Sequence, residues 1–315
     1  MLVLIVCLAS GALATPASSM PSRRRTHVSR APIPGTSCTV FPADNIWNID
    51  ITKLPVNANS DAWLASMDAS TTNLHPDFGA PPYGLPFAVV DDTHPTEYIT
   101  FVYSDESDPG PYPFGADIPL EQGSDAHALM VNKDTCTLYE LFGASWNGGN
   151  PAAGSGAIFP LGSDALRPDT WTSADAAGLP ILPGLVRVDE IQAGAIRHAI
   201  RFTAALTDCS HLWPARHDAG TCNPLYPPMG ARFRLKASFS LRGFGRAARI
   251  VLTAMKRYGL ILADNGSNWF FQGTEDSRWP NQVLDQLKTV PASAFEAVDE
   301  SACMVDAGSA QANCP

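Results

Sequence analysis

The stretch that decides the fold class is His127-Ala-Leu-Met-Val-Asn-Lys-Asp-Thr-Cys-Thr-Leu-Tyr-Glu140. Two short apolar runs flank Asn132, Lys133, Asp134 and Thr135, a string of residues that turns prefer. Side chains alternate across a strand. Pairing Asn132 with Thr135 therefore predicts a hairpin in which His127, Leu129, Val131, Cys136, Leu138 and Glu140 share one face. In that register His127 stands opposite Glu140. A neighbouring carboxylate raises an imidazole pKa and burial raises a carboxyl pKa, so such a couple can serve as general acid and base. The competing reading is a buried structural ion pair, and a one-residue slip would separate the two.

The same signature repeats along the chain. Strands are expected at Phe87 to Val90, Tyr98 to Tyr103, Thr137 to Phe142, Ile196 to Ala204 and Ala231 to Phe239. Leu260 to Ala263 and Trp269 to Gln272 flank Asp264-Asn265-Gly266 and read as a further hairpin. Helices are few. Arg246 to Tyr258 carries an apolar stripe of Ala247, Val251, Ala254 and Tyr258, with Gly259 placed to cap it. Short helices are also expected within Leu182 to Ala193 and Gln282 to Lys288. Ser104 to Ala126 and Gly143 to Gly156 are long loops, a length more often functional than idle. The expected fold is mainly β: a single-domain β-sandwich or jelly-roll with a few short helices and long loops.

Residues 1–14 read as a signal peptide, apolar from Leu2 and ending in Ala12-Leu13-Ala14, although no basic residue precedes the run. Residues 15–36 form a basic leader with Arg23, Arg24, Arg25 and Arg30 and no acid, expected to be disordered. One β-rich domain follows over 37–300, and residues 301–315 form a C-terminal tail. Beyond residue 30 the chain holds 17 basic and 31 acidic residues, a net charge near −14. Phosphate binding needs a basic face, so nucleic acid is not an expected partner. No run is long and apolar enough for membrane insertion. Removing Cys7 with the signal leaves six of seven cysteines, an even count that reads as disulfides in an exported chain. Cys209 with Cys222 and Cys303 with Cys314 close local loops, which leaves Cys38 with Cys136 by elimination. The close spacings of zinc sites are absent, and no cofactor motif occurs.

Several clusters carry possible chemistry. His198 alternates onto the side of Ile196, Ile200 and Phe202, with Arg197 and Arg201 on the other; it is read as a substrate-positioning group against the alternative of a satisfied core histidine. His75-Pro-Asp77-Phe-Gly79 is a compact His/Asp loop, competing with a simple turn. His211, Trp213 and His217 share a loop beside Cys209 and Cys222 and suit a binding rim. Asp264, Asn265 and Trp269 combine an acid, an amide and an aromatic ring, the mixture that sugar sites need. Asp189-Glu190 reads as helix-surface charge. The segment Gly143-Ala-Ser145-Trp-Asn147-Gly148 misses the serine-hydrolase elbow, which needs glycine at Asn147.

Four runs together carry a resemblance: Phe41-Pro-Ala-Asp-Asn-Ile-Trp-Asn48, Asn73-Leu-His-Pro-Asp-Phe-Gly79, Thr172-Ser-Ala-Asp-Ala-Ala-Gly178 and Tyr258-Gly-Leu-Ile-Leu-Ala-Asp-Asn-Gly-Ser-Asn-Trp269. On these the chain resembles a family of exported microbial proteins of unknown activity. The resemblance implies one continuous domain and transfers no catalytic residue. The leading functional expectation is a secreted, monomeric hydrolase acting on an extracellular polysaccharide or cell-wall glycan. Glu140, His127, Asp264 and Asp77 are its catalytic candidates; His75, His198, Trp213, His217, Asn265 and Trp269 would bind substrate. The competing expectations are a non-catalytic wall-binding protein and a metalloenzyme with His127, His198 and a third histidine as ligands.

Overall fold

The computed structural model describes Leu2 and residues 31–314. The expected signal segment (Leu2 apart) and the leader up to Arg30 lie outside the described residues. Within the segment expected as leader, Ile33 is fully buried and its N–H donates to the Cys38 carbonyl.

Strand outweighs helix, 24% of residues against 16%, so the chain is β-rich as expected. The strands are β1 (His75–Asp77), β2 (Ala88–Val90), β3 (Thr100–Phe101), β4 (Ala128–Asn132), β5 (Thr137–Phe142), β6 (Ser145–Trp146), β7 (Pro151–Ala153), β8 (Ser155–Pro160), β9 (Ile200–Ala204), β10 (Arg232–Leu235), β11 (Leu260–Asn265), β12 (Phe270–Gln272) and β13 (Phe295–Val298). They form three sheets: a six-stranded sheet ordered β1-β12-β9-β11-β10-β13, a four-stranded one ordered β2-β4-β5-β8, and a small one ordered β3-β7-β6. Each mixes parallel and antiparallel pairs, with β1/β12, β9/β11, β2/β4 and β3/β7 parallel. The helices are α1 (Ser60–Ser66), α2 (Val188–Ala193), α3 (Arg246–Arg257) and α4 (Asn281–Leu287).

Alternation along β4 and β5 divides the core. Leu129, Val131 and Leu138 enter the large cluster shared with the six-stranded sheet, while Ala128, Met130 and Leu141 pack in a smaller cluster with Tyr112 and Phe114. Both faces of the four-stranded sheet are therefore covered, and each buried large side chain contributes about 1.5–3 kcal/mol. Helix α3 buries Ala248, Val251, Leu252, Ala254 and Met255, and its basic last turn complements the helix dipole. Gly259 ends it at φ +74°, where a Cβ would stand 2.4 Å from the Phe233 carbonyl oxygen.

Two sequence expectations need correction. The β4–β5 hairpin pairs Asn132 with Thr137, not Thr135, so Leu129 faces Glu140 and His127 lies before the strand. The turn is longer because the Asn132 carboxamide accepts from the Asp134 and Thr135 N–H groups and Cys136 takes φ +52°. The slip is two residues, so Glu140 keeps its expected face. The 260–272 segment is not a hairpin either: β9 lies between β11 and β12.

A β-bulge interrupts β11 against β9. Leu262 pairs with Phe202, yet Asp264 pairs with Thr203. The extra residue turns Asp264 onto the face that carries Thr203 and Arg201.

The disulfides are Cys38–Cys136, Cys209–Cys222 and Cys303–Cys314, the three expected pairs. Their sequence separations are 98, 13 and 11. Loop-closure entropy predicts that replacing Cys38 and Cys136 by Ala lowers stability by about 4–5 kcal/mol, against about 3 kcal/mol for either local pair. Urea unfolding of the three double variants checks this order; an equal loss at all three would contradict it.

Candidate active site

The centre of the site is Arg201. It is the second residue of β9, a strand whose five residues are all buried, and its side chain has no solvent exposure. Guanidinium does not give up its charge, so the surroundings must supply acids. Its Nη2 donates to Asp175 Oδ2 at 3.1 Å and lies 3.6 Å from Asp264 Oδ2. Its Nε and Nη1 have no protein partner among the described residues.

Asp175 is presented by a tight turn. Its Oδ1 accepts from the Ala177 N–H at 2.9 Å and the Leu179 N–H at 3.4 Å, and Ser173 Oγ accepts from its own N–H. Gly178 closes the turn at φ +67°, where a Cβ would stand 2.4 Å from the Trp171 carbonyl oxygen. The Ala177 N–H also reaches the Ala263 carbonyl, tying the turn to the bulge. Burial pushes both Asp175 and Asp264 above the usual carboxylate range, with Arg201 opposing the rise.

Glu140 comes from β5 of the four-stranded sheet. It is fully buried and accepts from the N–H groups of Ile181 and Leu182 at 2.8–3.0 Å. Burial nonetheless raises it to about 7, against the pull of these donors, Arg201 and His127. His127 Nδ1 pairs with Glu121 Oε2, and its Nε2 lies 2.9 Å from the Ala174 carbonyl. Burial lowers the His127 pKa and Glu121 more than restores it, leaving a net rise.

Asp175 and Asp264 line a cavity of about 290 Å³ with Glu106, His217, Tyr103 and Phe142. The Asp264 side chain is 26% exposed and that of Glu106 37%, so both are partly exposed in the cavity lining. Glu106 Oε2 accepts from the Thr172 N–H at 3.1 Å and lies 3.7 Å from His217 Nε2.

The sequence candidates thus divide. His127, Glu140 and Asp264 converge electrostatically on Arg201, and Asp77 feels it too. His217 reaches the cavity; His75 stands in a separate groove with Asp77. His198 belongs to another cluster, bonded to Glu190 and the Ala199 carbonyl. Trp213 donates to the Ser309 carbonyl and Asn265 to Thr207 Oγ1. Trp269 is fully buried against Phe202, Phe233 and Phe295, so its ring is a core element with no face for a sugar. Among the described residues no three His, Cys, Asp or Glu side chains are grouped to hold a metal ion, which removes the ligand set of the metalloenzyme expectation. Sequence reading missed Glu106, Asp175 and Arg201 as functional groups. Only Arg201 left a signal, a charge inside an apolar-alternating strand.

No protein family, curated protein or solved structure matches the chain.

Arg201→Met should cost about 3–5 kcal/mol, because it strands Asp175 in the core. Adding Asp175→Asn should recover most of that loss in urea unfolding, and strict additivity would show that the two do not act as a pair. Stability should also depend on pH with an unusual sign. Glu140 and Glu300 are raised by burial from 4.5 to about 7, so between those values the folded chain keeps protons that the unfolded chain has lost. Stability is then full below about 4.5 and falls as pH rises toward 7, with Asp175 and His127 adding in the same direction. Glu190, held low by Arg187 and His198, loses its contribution only as pH falls below 4.5. A urea midpoint that rose between pH 5 and 7 would contradict this balance.

Proposed function

We propose that the protein is a secreted hydrolase that cleaves a polysaccharide by carboxylate acid–base chemistry. The observation that carries this reading is that two partly exposed carboxyls, Asp264 and Glu106, line one cavity, with Asp264 backed by a buried arginine. Hydrolysis of a glycosidic bond needs one carboxyl that holds a proton to give to the leaving oxygen and another that is ionised, to activate water or attack the sugar. Asp264, raised by burial, is the proton donor to the leaving oxygen. Glu106 is the second carboxylate, activating water or attacking the sugar. Arg201 and Asp175 are positioning residues: they hold Asp264 and set its charge. Glu140 and His127 act through the same network and do not touch substrate. Tyr103 and Phe142 supply aromatic surface at the cavity.

Three disulfides support an oxidising destination, and no described helix is long and apolar enough to cross a membrane. A sandwich of the two larger sheets, monomeric state and glycan specificity belong to the same proposal.

Screening the purified protein on plant, fungal and bacterial wall glycans tests it. On a substrate the parent cleaves, Asp264→Asn and Glu106→Gln should each lower kcat by roughly 10²–10⁴-fold with circular dichroism unchanged. Binding without turnover on every glycan would leave a wall-binding protein instead. The nearby His127 charge lowers the Asp264 pKa, so His127→Gln should move the alkaline limb of the rate profile to higher pH. A limb that stays in place would remove His127 from the network.

A further inference from the structure

A second groove, of about 520 Å³, runs between β1 and α4. Its polar lining is His75 and Asp77 from β1, Tyr83 from the loop that follows, and Asn281 and Lys288 from α4 and its end. The His75 ring lies flat on Phe270, 3.9 Å between centroids and 10° between planes. Tyr83 stands 69% exposed at the rim. Among the described residues the side chains of His75, Asp77, Tyr83 and Asn281 make no hydrogen bond with the protein, so their donors and acceptors are unspent.

The groove and the cavity meet the same face of the six-stranded sheet. Asp77 pairs with Gln272 across β1 and β12, and Phe271 pairs with Phe202 across β12 and β9. Asp77, Gln272 and Arg201 therefore stand in one row on one face. Neighbouring strands are about 4.8 Å apart, so Asp77 lies roughly 10 Å from the arginine that backs Asp264. Gln272 Oε1 in this row is buried without a partner, as are two Arg201 nitrogens. Asp77 is raised by burial and sensitive to both Arg201 and Glu121, as that proximity requires.

We infer that this groove is a second glycan subsite, which takes further sugar residues of the chain whose scissile bond lies in the cavity. Tyr83 offers a flat face for a pyranose ring. Asp77, His75 and Asn281 offer planar polar groups to hydroxyls. An apolar ligand would leave those groups unpaired, and an anion would meet Asp77. The inference rests on the glycan reading above, and its test separates the two.

The full chain, Tyr83→Ala and Tyr83→Phe are titrated calorimetrically with cello-, laminari- and chito-oligosaccharides of three and six units, and assayed for turnover. Loss of the aromatic face should weaken hexasaccharide binding about 3- to 10-fold and leave trisaccharide binding and kcat unchanged. Tyr83→Phe should behave as the parent. Equal hexasaccharide affinity for parent and Tyr83→Ala, or no hexasaccharide binding by the parent, overturns the subsite. Turnover by the parent, with hexasaccharide affinity and KM both unchanged in Tyr83→Ala, removes the groove and keeps the hydrolase. Binding without turnover, still weakened by Tyr83→Ala, keeps the groove and removes the hydrolase.

Discussion

An arginine with no access to water governs this molecule. Taking a guanidinium out of water costs several kcal/mol, and it cannot escape by losing its proton. The chain answers by drawing acids from separate elements: Asp175 from a glycine-closed turn, Asp264 from a bulged strand and Glu140 from the four-stranded sheet. Each acid is itself desolvated, so each is pushed toward its neutral form. The charge that holds the centre together and the protonation of the acids around it thus arise from one balance, so fold stability and the charge state of the cavity lining are coupled at Arg201.

The peripheral elements serve this centre. The Cys38–Cys136 bridge ties the segment around Ile33 to the end of the β4–β5 turn, and so to the sheet that carries Glu140. Ser104 to Ala126, which has no strand, contributes Glu106 to the cavity and Glu121 to His127. It is fastened by Tyr112 and Phe114 in the smaller core and by the Arg167–Asp108 ion pair. A segment without regular hydrogen bonding is in this way held firmly enough to present a carboxyl.

Much of the framework was legible in the sequence. Period-two runs found β4, β5, β9 and β11, the apolar stripe found α3, and loop length with elimination found the disulfides. The register of β4–β5 was missed because an asparagine side chain lengthened the turn, a hydrogen-bonding choice that periodicity does not encode. Alternation did put Arg201 on the face opposite the inward-reading histidine, but one strand alone does not reveal what covers its second face. That cover comes from residues 128–142, some sixty positions away. Glu106 ends a single 3-10 turn, Ser104–Glu106, and Asp175 sits in an irregular turn; neither is long enough for spacing to carry directional information. Trp269 misled for the opposite reason: a turn-like neighbourhood drew attention to a ring that the core consumes.

The bulge at Ala263 changes what kind of variation β11 tolerates. Parity along a strand is binary, and the extra residue inverts it between Leu262 and Asp264. Straightening the bulge with every residue kept would pair Ala263 with Thr203, return Asp264 to the side of Leu262 and Phe202, and leave Arg201 with Asp175 alone. Deleting Ala263 would instead keep Asp264 opposite Thr203, so β11 tolerates a shorter chain better than a regular one, and the carboxylate depends on a backbone irregularity as much as on its own identity.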